Sequence, residues 1–144
     1  MRTLVYYEHK PNKVEVIPVG DRSVIFIREK IKKQTYMDEE GNERVQYQAY
    51  EYSTEANGLN LDVDQVFIDA VIAKEAAEMA KSVRAKRDEL LAESDNEMLV
   101  DRIEHDSDEY IAAIKTYRQA LRDIPSQKGF PWDIIFPEKP KKKE

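Results

Sequence analysis

Between residues 2 and 55 apolar side chains recur at every second position, the period of a strand with one buried face. Leu4 and Tyr6 alternate with Val5 and Tyr7, and Val14 and Val16 alternate with Ile17 and Val19. Residues 23–37 put Ile25, Ile27, Ile31 and Thr35 on one face and Arg28, Lys30 and Lys32 on the other, which predicts a long strand. Asp38-Glu39-Glu40-Gly41-Asn42 is a turn signal, since Gly and Asn both tolerate positive φ, and residues 44–53 resume the alternation, predicting a hairpin. An antiparallel meander of four short strands is too small to be stable unless something covers it.

After Asn57-Gly58 the period changes to that of a helix and holds from Val63 to about Ala92, with Asp62 and Gln65 at capping-box spacing. Ile72, Ala76, Met79, Val83 and Leu90 form a narrow seam of alternating four and three, with Lys86 in one slot. Ala70, Ala73, Ala77 and Ala80 form a second stripe of small residues. Asp106, with Glu109 at the third position, starts a second helix whose apolar positions are Tyr110, Ile114, Tyr117, Leu121 and Ile124; Pro125 ends it. The second helix covers only half of the first. The uncovered half, with Ile72 and Met79, must meet the β-region, another copy of the chain, which would make a homo-oligomer, or a different protein.

The expected architecture is therefore α+β. Residues 1–57 form a β-rich domain, 58–137 a helical hairpin with a C-terminal strap, and 138–144 a basic flexible tail. The strap, residues 129–137, holds Phe130, Trp132 and Phe136 between Gly129, Pro131 and Pro137, and proline fixes its path at low entropic cost. Two readings of these aromatics stay open: core that folds back on the hairpin, or a pre-organised contact for a partner. The same choice applies to the tyrosines of the second hairpin strand. Tyr47 shares a face with Val45 and Ala49, and Tyr50 and Tyr52 share the other with Gln46 and Gln48, so they serve either cross-strand packing or a contact patch.

Charge changes the picture only once it is located. The 144 residues carry 23 Lys+Arg and 29 Asp+Glu, net −6, and residues 93–109 alone hold eight acids and one base. The only cationic cluster is Lys139, Lys141, Lys142 and Lys143, so no basic stripe for nucleic acid exists. Nor does any apolar run approach the roughly 18–20 residues of a membrane span. Zero Cys and two isolated His leave no thiolate, triad or zinc chemistry, and the four Gly build no phosphate loop. Asp101, Asp106 and Asp108 lack the Gly and spacing of a calcium loop, and a solvated connector accounts for them. The expectation is a protein without enzymatic activity, metal or cofactor.

Two blocks go further. Arg87-Asp88-Glu89-Leu90-Leu91, ending in Ser94-Asp95, is followed by Tyr117-Arg118-Gln119-Ala120-Leu121-Arg122-Asp123 and then by Gly129-Phe130-Pro131 and Phe136-Pro137. This arrangement resembles the C-terminal signature of tail fibre assembly proteins (tail assembly chaperones) of tailed phages and prophages, and covers about residues 87–137. The chain departs from it at Asn96, where the family has an aromatic, and at Leu99-Val100, where it has Leu-Pro. The resemblance implies a phage assembly chaperone that binds a tail fibre or receptor-binding protein and helps it fold and oligomerise, in the bacterial host cytoplasm during assembly. A permanent component of the virion tail or fibre attachment is the alternative. On the physical reading, Tyr117 and Leu121 face the helical seam, while Arg118, Arg122 and Asp123 hold the tail segment by charged hydrogen bonds.

Overall fold

The computed structural model describes residues 1–59 and 61–142; Lys143 of the basic cluster lies outside them. The chain is α+β and divides into two compact units, residues 1–75 and 76–144.

In the first unit four strands, β1 (Thr3–Tyr7), β2 (Val14–Val19), β3 (Arg22–Met37) and β4 (Glu43–Asn57), form one antiparallel sheet in the order β1-β4-β3-β2. β2, β3 and β4 follow one another as hairpins, and β1 joins on the far side of β4. Ile25 and Ile27 are buried on one face with Tyr52, which lies opposite Ile27 in the register. The helix α1 (Gln65–Asp95) begins in this unit, and its first turns are tied to the sheet by Lys13 Nζ on Gln65 Oε1 (3.3 Å) and by the N-terminal ammonium on Glu75. With Ile68 buried, the β-region meets this part of the helix, one of the three arrangements the sequence left open. The helix starts after the pattern suggests: Asp64, not Asp62, accepts the amide of Phe67 (2.8 Å) and acts as the cap.

Two features of β3 depart from its period-two reading. Glu29 pairs with Tyr50 and Lys32 with Gln48, so one extra residue is inserted between them, and Lys30 there has φ 51°. The bulge turns the strand over. Thr35 consequently pairs with Val45, on the face opposite Ile25 and Ile27, so the stripe Ile25, Ile27, Ile31, Thr35 does not lie on one side. Beyond the bulge, residues 34–37 and 43–46 pair only with each other among the described residues, making a two-stranded arm. At its tip only Gly41 takes positive φ (82°); Asn42 is held instead by its amide on Asp38 Oδ1 (2.8 Å) and its carbonyl on the Asp38 amide (2.9 Å). Hydrogen bonds from Arg44 and the Asn42 amide keep the Asp38 carboxyl below its usual pKa.

The other departure is Arg28, expected beside solvent-facing lysines but only 5% exposed. Its guanidinium donates to Tyr7 Oη (2.7 Å) in β1, Glu51 Oε2 (2.8 Å) in β4, Glu15 Oε2 (2.7 Å) in β2 and the Asn12 carbonyl (3.1 Å) in the β1–β2 loop. Tyr7 in turn donates to Glu51. Burial opposes the charge on Arg28, but its bonds to Glu15, Tyr7 and Glu51 outweigh this and raise its pKa, while burial and Glu51 raise that of Tyr7.

In the second unit α1 continues to Asp95, and a 3₁₀ turn (Asn96–Met98) and the short α2 (Val100–Ile103) lead to α3 (Asp108–Arg122). Ser107, not Asp106, is the N-cap of α3 and accepts the Tyr110 amide (3.3 Å). α3 does not run to Ile124: the helix closes two residues earlier, at Arg122, and Pro125 sits in the first turn of a 3₁₀ segment (Ile124–Ser126), where its missing N–H costs nothing.

Two stability measurements test the sheet. Arg28→Ala leaves Glu51 half-buried without its cation and is expected to lower unfolding free energy by roughly 3–5 kcal/mol in urea titration, whereas Glu15→Gln, at the exposed end, costs less than about 1 kcal/mol. Tyr52 is 1% exposed, donates to Glu29 (3.0 Å), and burial followed by the Glu29 bond pushes its pKa from 10.0 up to about 12. Because the folded state holds that proton more tightly, the stability it contributes is complete below pH 10.0 and lost as pH rises toward about 12. Tyr52→Phe should flatten the fall in stability across this window.

Candidate functional site

The core of the second unit is the cluster Val83, Tyr117, Leu121 and Ile124, with Met79, Leu90, Leu91, Phe130, Ile134 and Phe136 packed against it. Tyr117 and Leu121 therefore do face the seam. Arg118 reaches α1 rather than the C-terminal segment. It donates to the Leu91 carbonyl (3.1 Å) and Ser94 Oγ (2.5 Å) and pairs with Asp95 (2.7 Å). Ser94 is wholly buried and its hydroxyl donates a hydrogen bond to the Leu91 carbonyl (2.7 Å). One guanidinium thus occupies the last turn of α1, where unbonded carbonyls and the negative end of the helix dipole favour a cation. Arg87 pairs with Asp88 (2.7 Å), Gln119 donates to Asp123 (3.0 Å), and Arg122 is exposed.

The segment after α3 is held by a residue the sequence did not single out. Gln127 donates through Nε2 to the Ile135 carbonyl and accepts the Ile135 amide on Oε1, both at 2.8 Å, so its amide does the work of a neighbouring strand. Gly129 makes the turn before it: its carbonyl accepts the amides of Trp132 and Asp133 (2.8 Å each). A Cβ at Gly129 would lie 1.9 Å from the Asp133 carbonyl oxygen, so only glycine fits. The Phe130–Pro131 peptide is cis. With this turn made, Phe130, Ile134 and Phe136 lie on the cluster and the Ile135 side chain stands 79% exposed. The Arg84 guanidinium sits over the Phe130 ring at 5.3 Å.

The other residues expected at a partner surface are spread over both units. In the first, Tyr52 is core, Tyr47 is half-buried opposite Tyr7 and Lys33, and Ile72 is half-buried. Tyr50 is half-buried beneath the Arg2 guanidinium, 3.6 Å from the ring centroid, with Lys30 Nζ at 5.6 Å. Trp132, in the second, is half-buried. The small-residue stripe is exposed at Ala70, Ala73 and Ala77 and buried only at Ala80. Three exposed apolar side chains lie on the arm, Tyr36, Met37 and Val45; others, such as Val19, Val66 and Val100, are spread over the rest of the chain. The three on the arm sit beyond the bulge, where no further strand pairs among the described residues, and only the register reveals that.

The acidic connector is less solvated than its composition implies. Glu97 pairs with Arg102 (3.6 Å) and Lys139 (3.3 Å), and Asp106 pairs with Lys142. Among the described residues no group of three or more His, Asp or Glu is placed to hold a metal ion, and no helix is long and apolar enough to cross a membrane.

Residues 80–141 match the sequence model of the family described as phage tail assembly chaperone protein. No curated protein and no solved structure matches the chain. The matched stretch contains every residue of the two blocks that carry the resemblance, and nearly coincides with the second unit. The chaperone resemblance of the C-terminal part is thereby confirmed.

The packing roles of the block can be measured. Arg118→Lys keeps the charge but loses the fork that serves two acceptors and Asp95 together, and should cost about 1.5–3 kcal/mol. Gly129→Ala should cost about 3 kcal/mol, the upper range for forced overpacking, because backbone rather than a side-chain tip must give way. Both are read as shifts in the urea midpoint, with Arg122→Lys as the near-neutral comparison.

Proposed function

We propose that this chain is a non-enzymatic assembly chaperone that binds a tail fibre or receptor-binding protein of a phage and aids its folding and oligomerisation in the host cytoplasm. The family match over residues 80–141 carries this reading. The architecture supports it in kind. The residues of the matching block are engaged in holding α3, α1 and the C-terminal segment together, which makes the block a scaffold and gives turnover nothing to act through.

The client contact is assigned to the β3–β4 arm. Its apolar side chains Met37 and Val45 share one face with half-buried Tyr47, and Tyr36 is exposed on the other. A two-stranded ribbon with uncovered apolar side chains on both faces gains by docking, and tyrosine supplies large contact area at low entropic cost. Phe130, Met79 and Phe136 serve as core on this reading, and Trp132 flanks them.

Co-expression of a fibre protein with and without the chain tests the proposal by the yield of soluble, oligomeric fibre. The chain should raise that yield several-fold, and Met37→Asp with Val45→Asp should abolish the gain while leaving the melting temperature of the chain unchanged. Retention of the chain at stoichiometric copy number in purified particles, with no improvement in fibre yield, would defeat the chaperone reading in favour of a structural tail component.

A further inference from the structure

The two carboxylates of the connector that meet the C-terminal lysines are the least solvated ones there. The side chain of Asp106 is 2% exposed and that of Glu97 16%. Lys142 pairs with the first and also lies 6.0 Å from the ring centroid of Tyr110; Lys139 pairs with the second. Pro140, Lys141 and Lys142 line a cavity of about 410 Å³ together with His105, Tyr110 and Ala113 of the start of α3 and the turn before it. A second observation concerns what else holds this segment. Among the described residues, no hydrogen bond of the backbone reaches residues 136–142, the last being the Gln127 clamp on Ile135.

We infer that residues 138–142 are an ionic strap, closed over the cavity at the start of α3 by Lys139–Glu97 and Lys142–Asp106 and opened by competing ions or a competing cationic segment. Three physical points support this. Pro137 and Pro140 restrict the free chain, so closing it costs little conformational entropy. Both lysine side chains are substantially exposed, 41% and 62%, so the pairs are reachable by salt. The attraction between Lys142 and Asp106 is regained once the competitor leaves, so the opening is reversible. The inference concerns the chain alone and does not depend on what its client is.

The test uses the full chain, followed by amide NMR of residues 105–113. Raising NaCl from about 50 mM to about 1 M should move these resonances in the native chain, because the Debye length falls from above 10 Å to about 3 Å. They should move toward the positions seen at low salt in the full-length double variant Lys139→Glu/Lys142→Glu, which should itself respond little. A synthetic peptide of residues 137–144 should bind the double variant at least about tenfold tighter than the native chain, whose own strap occupies the site. Identical low-salt spectra for the two chains over this region, or equal peptide binding by both or by neither, would overturn the inference. Should the double variant not fold, the native chain decides alone: resonances at 105–113 that ignore salt exclude an ionic closure.

Discussion

The guanidinium of Arg28 constrains the first unit more than any apolar contact does. It is bonded to groups on each of the other three strands and on the loop between the first two. A sheet this small cannot rely on burial alone. Because the bonds need fixed distances and directions, they select one strand order and one register, which hydrophobic contact, being non-directional, does not. Ile25, Ile27 and Tyr52 are buried on the other face, and the start of α1 is tied to this unit by Lys13 on Gln65. The cost of enclosing a cation is met by two carboxylates and a phenol, of which Glu51 is the more enclosed carboxylate.

The second unit solves a different problem. A helix pair with a thin seam has little apolar area, and polar locks at its two ends supplement it. Arg118 caps the end of α1, and Gln127 stands in for a strand beside Ile135. The block that matches the phage tail assembly chaperone family is built largely of these locks and of the cluster between them. The contacts these residues make are those of packing and folding.

Period-two alternation was enough to read all four strands and the hairpin, because apolar residues recur at every second position over most of each strand. It could not reveal the bulge, since Lys30 is an unremarkable residue for a strand and only pairing with β4 exposes the extra position. Arg28 was misread for a related reason: in one dimension it sits among lysines, and its partners Tyr7, Glu15 and Glu51 come from segments far apart in sequence. Helix ends were legible to within about two residues, as caps compete locally: Asp62 with Asp64, Asp106 with Ser107. The resemblance at Arg87 to Pro137 was legible because it is a long run. What the run does physically was not, since Arg118 could have turned to the tail or to α1 with equal chemical sense.

The bulge at Lys30 also separates the sheet into two regions that answer to different demands. Inward of it lie the buried Ile25 face and the Arg28 network. Outward of it, the faces are reassigned, so the arm's side chains are not an extension of either. Side chains from Gln34 to Gln46 are therefore placed by the arm's own pairing and not by the register of the core. A binding loop achieves the same independence through disorder. Here it is achieved with the strands still paired.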